Sequence, residues 1–448
     1  SYSLLRKNNV FLYLGVVKIL KLMGMGIISI PLVFLYYMYI TFILLLPRYN
    51  FKDTESPIET ELPYFIFCIP CLNEEKVIRK TVESLLQLDY NRLFIVVIDD
   101  ASDDNTVHVV RQINDARIRI HQRKFPQARL GKGDALNDVY QKICKVVRRL
   151  SIDSRRVIVT IVDGDGRPSS NLLQEAQRAF ADPAVGAAQT TIRMTNRENW
   201  LSLMQDMEFY SNVATIQNSR EYLQSVGLGG NGQFSRLNAM QELGTHPWSS
   251  CLLEDFDFGL SLLIRGWKIR HLSHGAMYQQ GVTSILHYIR QRSRWAQGNM
   301  QCLSRAKEVL QAQLPTIAKM DILYFLLQPW TSLIGSVITI LSWILMGMFL
   351  YSYDFQLFTT STQWGWNIVS LLLWVLLVFG PGLFWGIRHY QFTNKDSSQS
   401  CSFWKCILAG LSMPLYNLLV IPSVWTACWR QLIRKKEWLK TERIEENR

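Results

Sequence analysis

The apolar residues of this chain gather at its two ends, and that segregation constrains the fold more than any other feature. Residues 23–46 form a nearly unbroken apolar run without a charge, residues 331–351 and 364–387 form two more, and the stretch between the two ends is polar. A helix needs about 20 apolar residues to cross a bilayer. The layout predicts an N-terminal membrane anchor over 1–50, a water-facing domain over 51–314, and interfacial and transmembrane helices over 315–448. Composition agrees, since 48% of residues are hydrophobic and 19% charged, whereas a soluble domain carries about a quarter charged.

The run over 23–46 lacks a small-residue cleavage site and reads as an anchor, not a signal peptide. The stretch before it mixes apolar residues with Arg6, Lys7, Lys18 and Lys21, as an interfacial amphipathic helix or a poor first span would. The linker over 352–363 has no Lys or Arg, while Arg388 and Lys395 follow the next run. Positive charge favours the cytosolic side, which places the linker outside and the polar domain in the cytosol. Residues 403–425 are also apolar but contain Pro414, Asn417 and Pro422, and a tail bearing Arg430, Arg434, Lys435, Lys436, Lys440, Arg443 and Arg448 follows. A full crossing would carry those charges outside, so a broken, interfacial or re-entrant helix is expected there.

The net charge of +12 suits an anionic membrane leaflet or phosphate-bearing ligands. The polar domain has no basic stripe interleaved with aromatics, so nucleic acid is not an expected partner. Cys68 and Cys71 make a lone CxxC without a second pair, and the cysteines are expected to be free thiols.

Within the polar domain, residues 64–70, 93–98 and 157–162 are continuous apolar runs, as parallel strands covered on both faces are. Residues 74–88 between the first two show helical spacing. Alternating strands and helices imply an α/β fold with a mostly parallel, Rossmann-like sheet, whose ligands bind beyond the carboxyl ends of the strands. Acidic residues stand at two of those ends: Asp99 and Asp100 after the second run, Asp163 and Asp165 after the third. The two-residue offset, with Gly164 and Gly166 freeing the backbone, lets Asp163 and Asp165 approach one hard cation such as Mg²⁺ or Mn²⁺. Loop capping is the alternative use of aspartate in such turns. A third acidic pair, Glu254 and Asp255, precedes an amphipathic helix over 256–265, where Asp255 would otherwise cap the helix. Gln291, Arg294 and Trp295 then fall together on a helical stretch, QRSRW, as a diphosphate partner and a sugar-stacking ring could.

In order and spacing, PCLNEE (70–75), IDDASDDNT (98–106), LGKGDALN (130–137), DGD (163–165), ED (254–255), QRSRW (291–295) and WLKTER (438–443) resemble the family 2 inverting glycosyltransferases. Within that family the likeness is to the membrane-bound synthases related to cellulose, chitin and hyaluronan synthases. The resemblance implies a GT-A fold, a UDP-sugar donor, a growing glycan as acceptor, and Mn²⁺ or Mg²⁺. It implies that Asp99 and Asp100 serve the nucleotide, with Asp100 on the uridine and Pro70 and Glu74 lining the base pocket. Lys132 would lie near the nucleotide, Asp163 and Asp165 would hold the metal, and Asp255, with Glu254 beside it, would be the catalytic base. Gln291, Arg294 and Trp295 would hold the diphosphate and the acceptor end, and Lys440, Thr441 and Arg443 would form a gating loop.

Two departures concern the acceptor side. The segment GLGGNGQFSR carries Gln233 and Phe234 where smaller residues are usual in the family, and Leu253 replaces the usual Thr before the acidic pair. The leading expectation is a processive synthase that exports a β-linked polysaccharide, its pore completed by interfacial helices or a partner such as a second copy of the chain. A non-processive transferase with a lipid acceptor, and a catalytically silent membrane protein that binds nucleotide sugar, are the alternatives.

Overall fold

The structure is a computed structural model that describes residues 46, 62–352, 361–395 and 400–435. The anchor expected over 1–50 (Leu46 aside), most of the 352–363 linker, and the tail motif with Lys440, Thr441 and Arg443 lie outside the described residues. The described residues form two units: 62–332 with 377–435, and 46 with 333–352 and 361–376.

Among the described residues eight strands form the sheet: β1 (Tyr64–Cys71), β2 (Leu93–Asp99), β3 (Ile118–Gln122), β4 (Val157–Ile161), β5 (Arg167–Pro168), β6 (Val185–Met194), β7 (Gln233–Arg236) and β8 (Lys268–Gln279). Their order is β3-β2-β1-β4-β7-β6-β8-β5. The half built from β3, β2, β1 and β4 is parallel, with Cys71 in register with Asp99. β7 then runs antiparallel to both β4 and β6, and β5 antiparallel to β8, while β6 and β8 pair in parallel. The sheet is therefore mixed, and the inner strands of its parallel half, β1, β2 and β4, are the nearly continuous apolar runs.

Helices cover both faces. On one, Phe65, Phe67 and Ile69 meet Val82 and Leu85 of α1 (Ile78–Leu86) and, beyond α2 (Thr106–Arg111), Ala176 of the later helix Leu172–Phe180. On the other, α3 (Lys132–Arg149) buries Leu136, Val139, Tyr140, Ile143 and Val147, a 3.6-residue stripe, against Val159 and Ile161. After α4 (Leu172–Phe180) come α5 (Trp200–Asp206), a π-helical stretch (Met207–Val213), α6 (Ala214–Leu223), α7 (Leu237–Glu242), α8 (Glu254–Ile264), α9 (Ile285–Cys302) and α10 (Ala306–Gln311). Phe256 and Leu260 of α8 join the second core layer.

The next helix, α11, runs Thr316–Ser352, starting fifteen residues before the apolar run at 331. Its first turns belong to the domain core. Ile322 and Leu326 pack with Phe256, and Asp321 accepts from Arg220 Nε at 2.8 Å and Ser225 Oγ at 2.7 Å. Among the described residues, Thr316–Leu341 is long and apolar enough to cross a membrane. The second run lies in α12 (Ser361–Thr393). Residues 403–425 fall in α13 (Phe403–Leu411), α14 (Met413–Leu418) and α15 (Val420–Leu432), with a 44° bend after α13 near Pro414. Proline lacks the N–H and crowds the preceding turn, which accounts for the break.

Phe234 decides one of the sequence departures. It is fully buried, with its ring edge-on to Phe65 at 6.0 Å and Phe67 at 6.3 Å. Its bulk serves the core and says nothing about the acceptor. Gln233 is buried likewise, and Arg236 donates to the carbonyls of Val185, Arg155, Phe180 and Asp182. Phe234→Ala should cost about 3–5 kcal/mol, read as a fall in the denaturation midpoint of the full chain in detergent. A shift below about 1 kcal/mol would place the ring outside the core.

Candidate active site

Because β2, β1 and β4 lie side by side, the loops after them open into one crevice, at the point where the chain, having run from β1 outward to β3, returns to the other side of β1. The first two loops are laced together. Asn73 N–H donates to Ser102 Oγ at 3.0 Å, Asp103 N–H to Asn73 Oδ1 at 2.8 Å, and Glu74 N–H to Thr106 Oγ1 at 2.8 Å. Asn73, Ala101 and Arg129 all border this crevice with positive φ (56°, 61° and 64°), a conformation that side chains disfavour and that gathers at functional sites. Asp99 Oδ1 accepts the Ser102 N–H at 3.1 Å, closing the turn. Asp100 Oδ1 takes both an Arg123 guanidinium N–H (2.6 Å) and the Arg129 N–H (3.0 Å). Pro70 stands beside Ile98 in register, and the Glu74 side chain lies against Gly164, where a Cβ would come within 2.8 Å of Glu74 Cγ. Pro70 near the end of β1 and the loops carrying Glu74 and Asp100 therefore border the same crevice as the Asp163–Asp165 turn.

Lys132, at the start of α3, joins the remaining carboxylates. Its Nζ is 3.2 Å from Asp163 Oδ1, 3.4 Å from Asp255 Oδ2 and 4.0 Å from Glu254 Oε1. Burial would lower the pKa of this ammonium, but the charges of Asp163, Asp255 and Glu254 outweigh it and hold it above its ordinary value. Glu254 is pushed up to about 7, first by burial and then by the neighbouring Asp255 charge, with Lys132 and Arg294 pulling the other way. Asp255 is in the first turn of α8, and the cap position is Leu253, which makes no side-chain cap. Asp255 is thus not a capping residue, although the helix dipole favours its charge. Its Oδ1 is buried and accepts no hydrogen bond from the described residues.

The donor chemistry fits a hard divalent cation. Asp163 and Asp165 offer carboxylates from one turn closed by the Gly166 N–H on Asp163 O (2.8 Å), and Asp165 Oδ2 is oriented by the Gln280 N–H at 2.8 Å. Among the described residues no cluster of three or more His, Cys, Asp or Glu side chains could hold a metal. Such a site suits an ion that completes its shell with water and substrate phosphates, as Mg²⁺ commonly does.

The glycine-rich segment 227–232 proves closer to the chemistry than its sequence suggests. Gly230 has φ +85°, and a Cβ there would sit 2.3 Å from Asp255 Oδ2 and 3.0 Å from Lys132 Nζ. Gly230→Ala should lower turnover at least ~10-fold and cost about 1–3 kcal/mol through overpacking and strain. Gly229→Ala, whose Cβ would meet nothing nearer than Gln189 Oε1 at 3.9 Å, should stay near the parent. Turnover and unfolding midpoint measured on both variants check this. Equal behaviour of the two would remove the close approach as the cause.

Gln291, Arg294 and Trp295 share one face of α9, three and four residues apart. Arg294 lies near enough to Glu254 to act on its charge. Trp295 stands edge-on to Phe209 of the π-helical stretch at 6.2 Å, and the Arg292 guanidinium covers its ring at 4.6 Å. Arg292 is itself gripped by Glu208 through two 2.7 Å bonds. Sequence reading passed over Arg292 and Glu208, and only the spacing of Arg292 within QRSRW could have pointed to it. Further along α9, Gly298 backs onto Leu253, where a Cβ would come within 2.5 Å of its N atom. Arg430 of α15 donates to Gln297 Oε1 at 2.9 Å, and Gln297 Nε2 donates to Lys435 O at 2.8 Å, so the C-terminal helix is pinned behind QRSRW.

The family model for "Glycosyltransferase like family 2" matches residues 63–298. The β-monoglucosyldiacylglycerol synthase of Nostoc sp. is 29% identical over 288 residues, 63% of this chain and 58% of that protein. That of Synechocystis sp. is 26% identical over 85% of this chain and 75% of its own. The poly-β-1,6-N-acetyl-D-glucosamine synthase of Staphylococcus aureus is 26% identical over 58% of this chain and 60% of its own. The chain therefore spans less than two thirds of the Nostoc and Staphylococcus relatives. Among solved structures, the mannosyltransferase PcManGT of Pyrobaculum calidifontis, in complex with GDP-Man and Mn²⁺, superposes with a TM-score of 0.56 at 18% identity, over 90% of this chain and 99% of its own. That likeness places the fold among GT-A-like neighbours.

Proposed function

Because the chain belongs to the family 2 glycosyltransferases, we propose that it transfers a sugar, with inversion, from a UDP-sugar to a hydroxyl acceptor supplied at a membrane. The observation that carries this reading is Asp255: a buried carboxylate whose Oδ1 accepts no hydrogen bond from the described residues, beside Lys132 and the Asp163–Asp165 turn. A free carboxylate oxygen can take the acceptor hydroxyl proton as that oxygen attacks the anomeric carbon. Attack opposite the departing diphosphate inverts the centre. A second protein carboxylate is not needed as acid, because the nucleoside diphosphate leaves well, unlike the alcohol released in glycoside hydrolysis.

The remaining residues divide the donor between them. Pro70, Glu74, Asp99 and Asp100 form the nucleotide end, Asp100 through the carboxylate oriented by Arg123. Lys132 and Arg294 are the cations for the diphosphate. Asp163 and Asp165 would hold Mn²⁺ or Mg²⁺, which supplies Lewis-acid neutralisation of the leaving group when bound. Glu254, its carboxyl pushed up to about 7 by burial and by the Asp255 charge, stands beside the base, and Gln291 and Trp295 border the acceptor end. Lys440, Thr441 and Arg443 follow the anchored Lys435 and act as a lid that excludes water.

Two acceptors have specific support. A lipid hydroxyl is favoured by the Nostoc and Synechocystis relatives, which make glucosyldiacylglycerol, and by the apolar face of α13–α15, where Trp404, Leu408, Leu415 and Trp429 are exposed. The end of a growing β-linked glycan, exported through the membrane, is favoured by QRSRW and by the poly-N-acetylglucosamine synthase relative. The test is incubation of the purified chain with single UDP-sugars, GDP-mannose as control, Mn²⁺ or Mg²⁺, and diacylglycerol micelles. Product sizing and β-specific glycosidase digestion follow. A β-glycolipid of one sugar supports the lipid reading and a β-polymer the glycan reading. An α-linked product, or no transfer from any nucleotide sugar, overturns the proposal.

A further inference from the structure

The segment 229–232 touches both halves of the crevice with consecutive residues. Gly230 presses its backbone against Asp255 and Lys132 on one side. On the other, Asn231 Oδ1 accepts the Asp163 N–H at 3.1 Å, the amide that opens the Asp163–Gly164–Asp165 turn. Asn231 is 3% exposed, and its orientation is over-determined. Its Nδ2 donates to Gln279 Oε1 at 2.7 Å, its carbonyl accepts Gln189 Nε2 at 2.8 Å, and its N–H donates to Gly229 O at 3.2 Å. Gln189 Oε1 in turn accepts the Gly229 N–H at 2.8 Å. The Gly232 N–H donates to Ile161 O at 2.9 Å, tying the segment to β4 two residues before Asp163.

The far end of the turn is held from the same place. Gln280, next to Gln279 at the end of β8, donates its N–H to Asp165 Oδ2. Gly166 also makes room for the amide, since a Cβ there would lie 2.9 Å from Asn231 Oδ1. The turn is thus gripped at Asp163 by Asn231 and at Asp165 by Gln280.

We propose that Asn231 is a positioning residue that sets the Asp163–Asp165 turn for the metal-bound donor and, through Gly230, fixes its spacing from Asp255. This deepens the transferase reading and rests on it. Outer partners of this kind hold ligating carboxylates in place, and their loss lowers metal affinity about 10–100-fold. Aspartate at 231 would keep the oxygen that accepts the Asp163 N–H, and a turned Gln279 amide could donate to its second oxygen.

The test compares the full chain in detergent with Asn231→Ala, Asn231→Asp and Gln279→Ala. Amide hydrogen exchange over the peptide 160–168, without ligand, reads the turn directly. Apparent KM for Mn²⁺ and for the UDP-sugar, separated from kcat, reads its effect. Asn231→Ala should speed exchange in that peptide at least ~10-fold and raise both KM values by a similar factor. Asn231→Asp should regain most of the protection, and Gln279→Ala should shift both readouts the same way by less. If Asn231→Ala does not fold, the Gln279→Ala and Asn231→Asp results carry the decision. Unchanged exchange, or a fall in kcat or midpoint with KM values intact, overturns the proposal. A parent protein without metal-dependent sugar transfer would instead overturn the transferase reading, while the exchange data would still decide what holds the turn.

Discussion

Replacing Asp255 by Asn lowers transfer about 10²–10⁴-fold, the range expected for removal of a general base, while UDP-sugar binding stays within a few-fold of the parent. The change is nearly isosteric, so the closely packed Gly230 and the ion contact from Lys132 lose charge and not space. The amide cannot take a proton from the acceptor hydroxyl. Single-turnover transfer and donor binding, measured on one preparation, separate the two effects. A variant that loses donor affinity yet keeps its rate at saturation would show that Asp255 serves the donor and not the acceptor.

Loss of the metal should be as severe. Asp165→Asn, or chelation of the parent with excess EDTA, should reduce transfer at least ~10²–10³-fold, as expected when a developing negative charge loses its principal stabiliser. Added Mn²⁺ should restore the chelated parent and leave the variant inactive. The amide still offers an oxygen to the Gln280 N–H, so the local fold should persist and the unfolding midpoint should move little. Full activity in EDTA would mean that Lys132 and Arg294 suffice for the leaving group.

β1, β2 and β4 and the acidic residues that follow β2 and β4 were legible because these strands are nearly continuous apolar runs, as over 157–162, while the loops after them are polar. β6 escaped notice for the opposite reason: its sequence, VGAAQTTIRM, is rich in small and polar residues yet buried nearly throughout. Its neighbours supply the packing, so no period or apolar run announces it. The core role of Phe234 is hidden because sequence shows the size of a side chain and not the face it takes. Gly230 and Asn231 were invisible as functional positions because their roles come from a positive φ and from partners 68 and 48 residues away along the chain. Lys132 could be placed near the nucleotide, but nothing in sequence joins it to Asp255, 123 residues on.

The left-handed backbone at Asn73, Ala101 and Arg129 has a consequence for how such a chain can change over generations. Asparagine tolerates that conformation, but at Ala101 and Arg129 it costs about 1–2 kcal/mol per residue, against a net domain stability of about 5–15 kcal/mol. The loops of the crevice are therefore not in their own lowest-energy shape; the sheet and the lacing of Asn73 to Ser102 and Asp103 keep them there. Selection for stability alone would relax Ala101 and Arg129 early, each by an apparently harmless substitution. Every acidic residue could remain in place while the crevice lost its form, and a lineage could lose the activity before it lost any of the residues by which the activity is recognised.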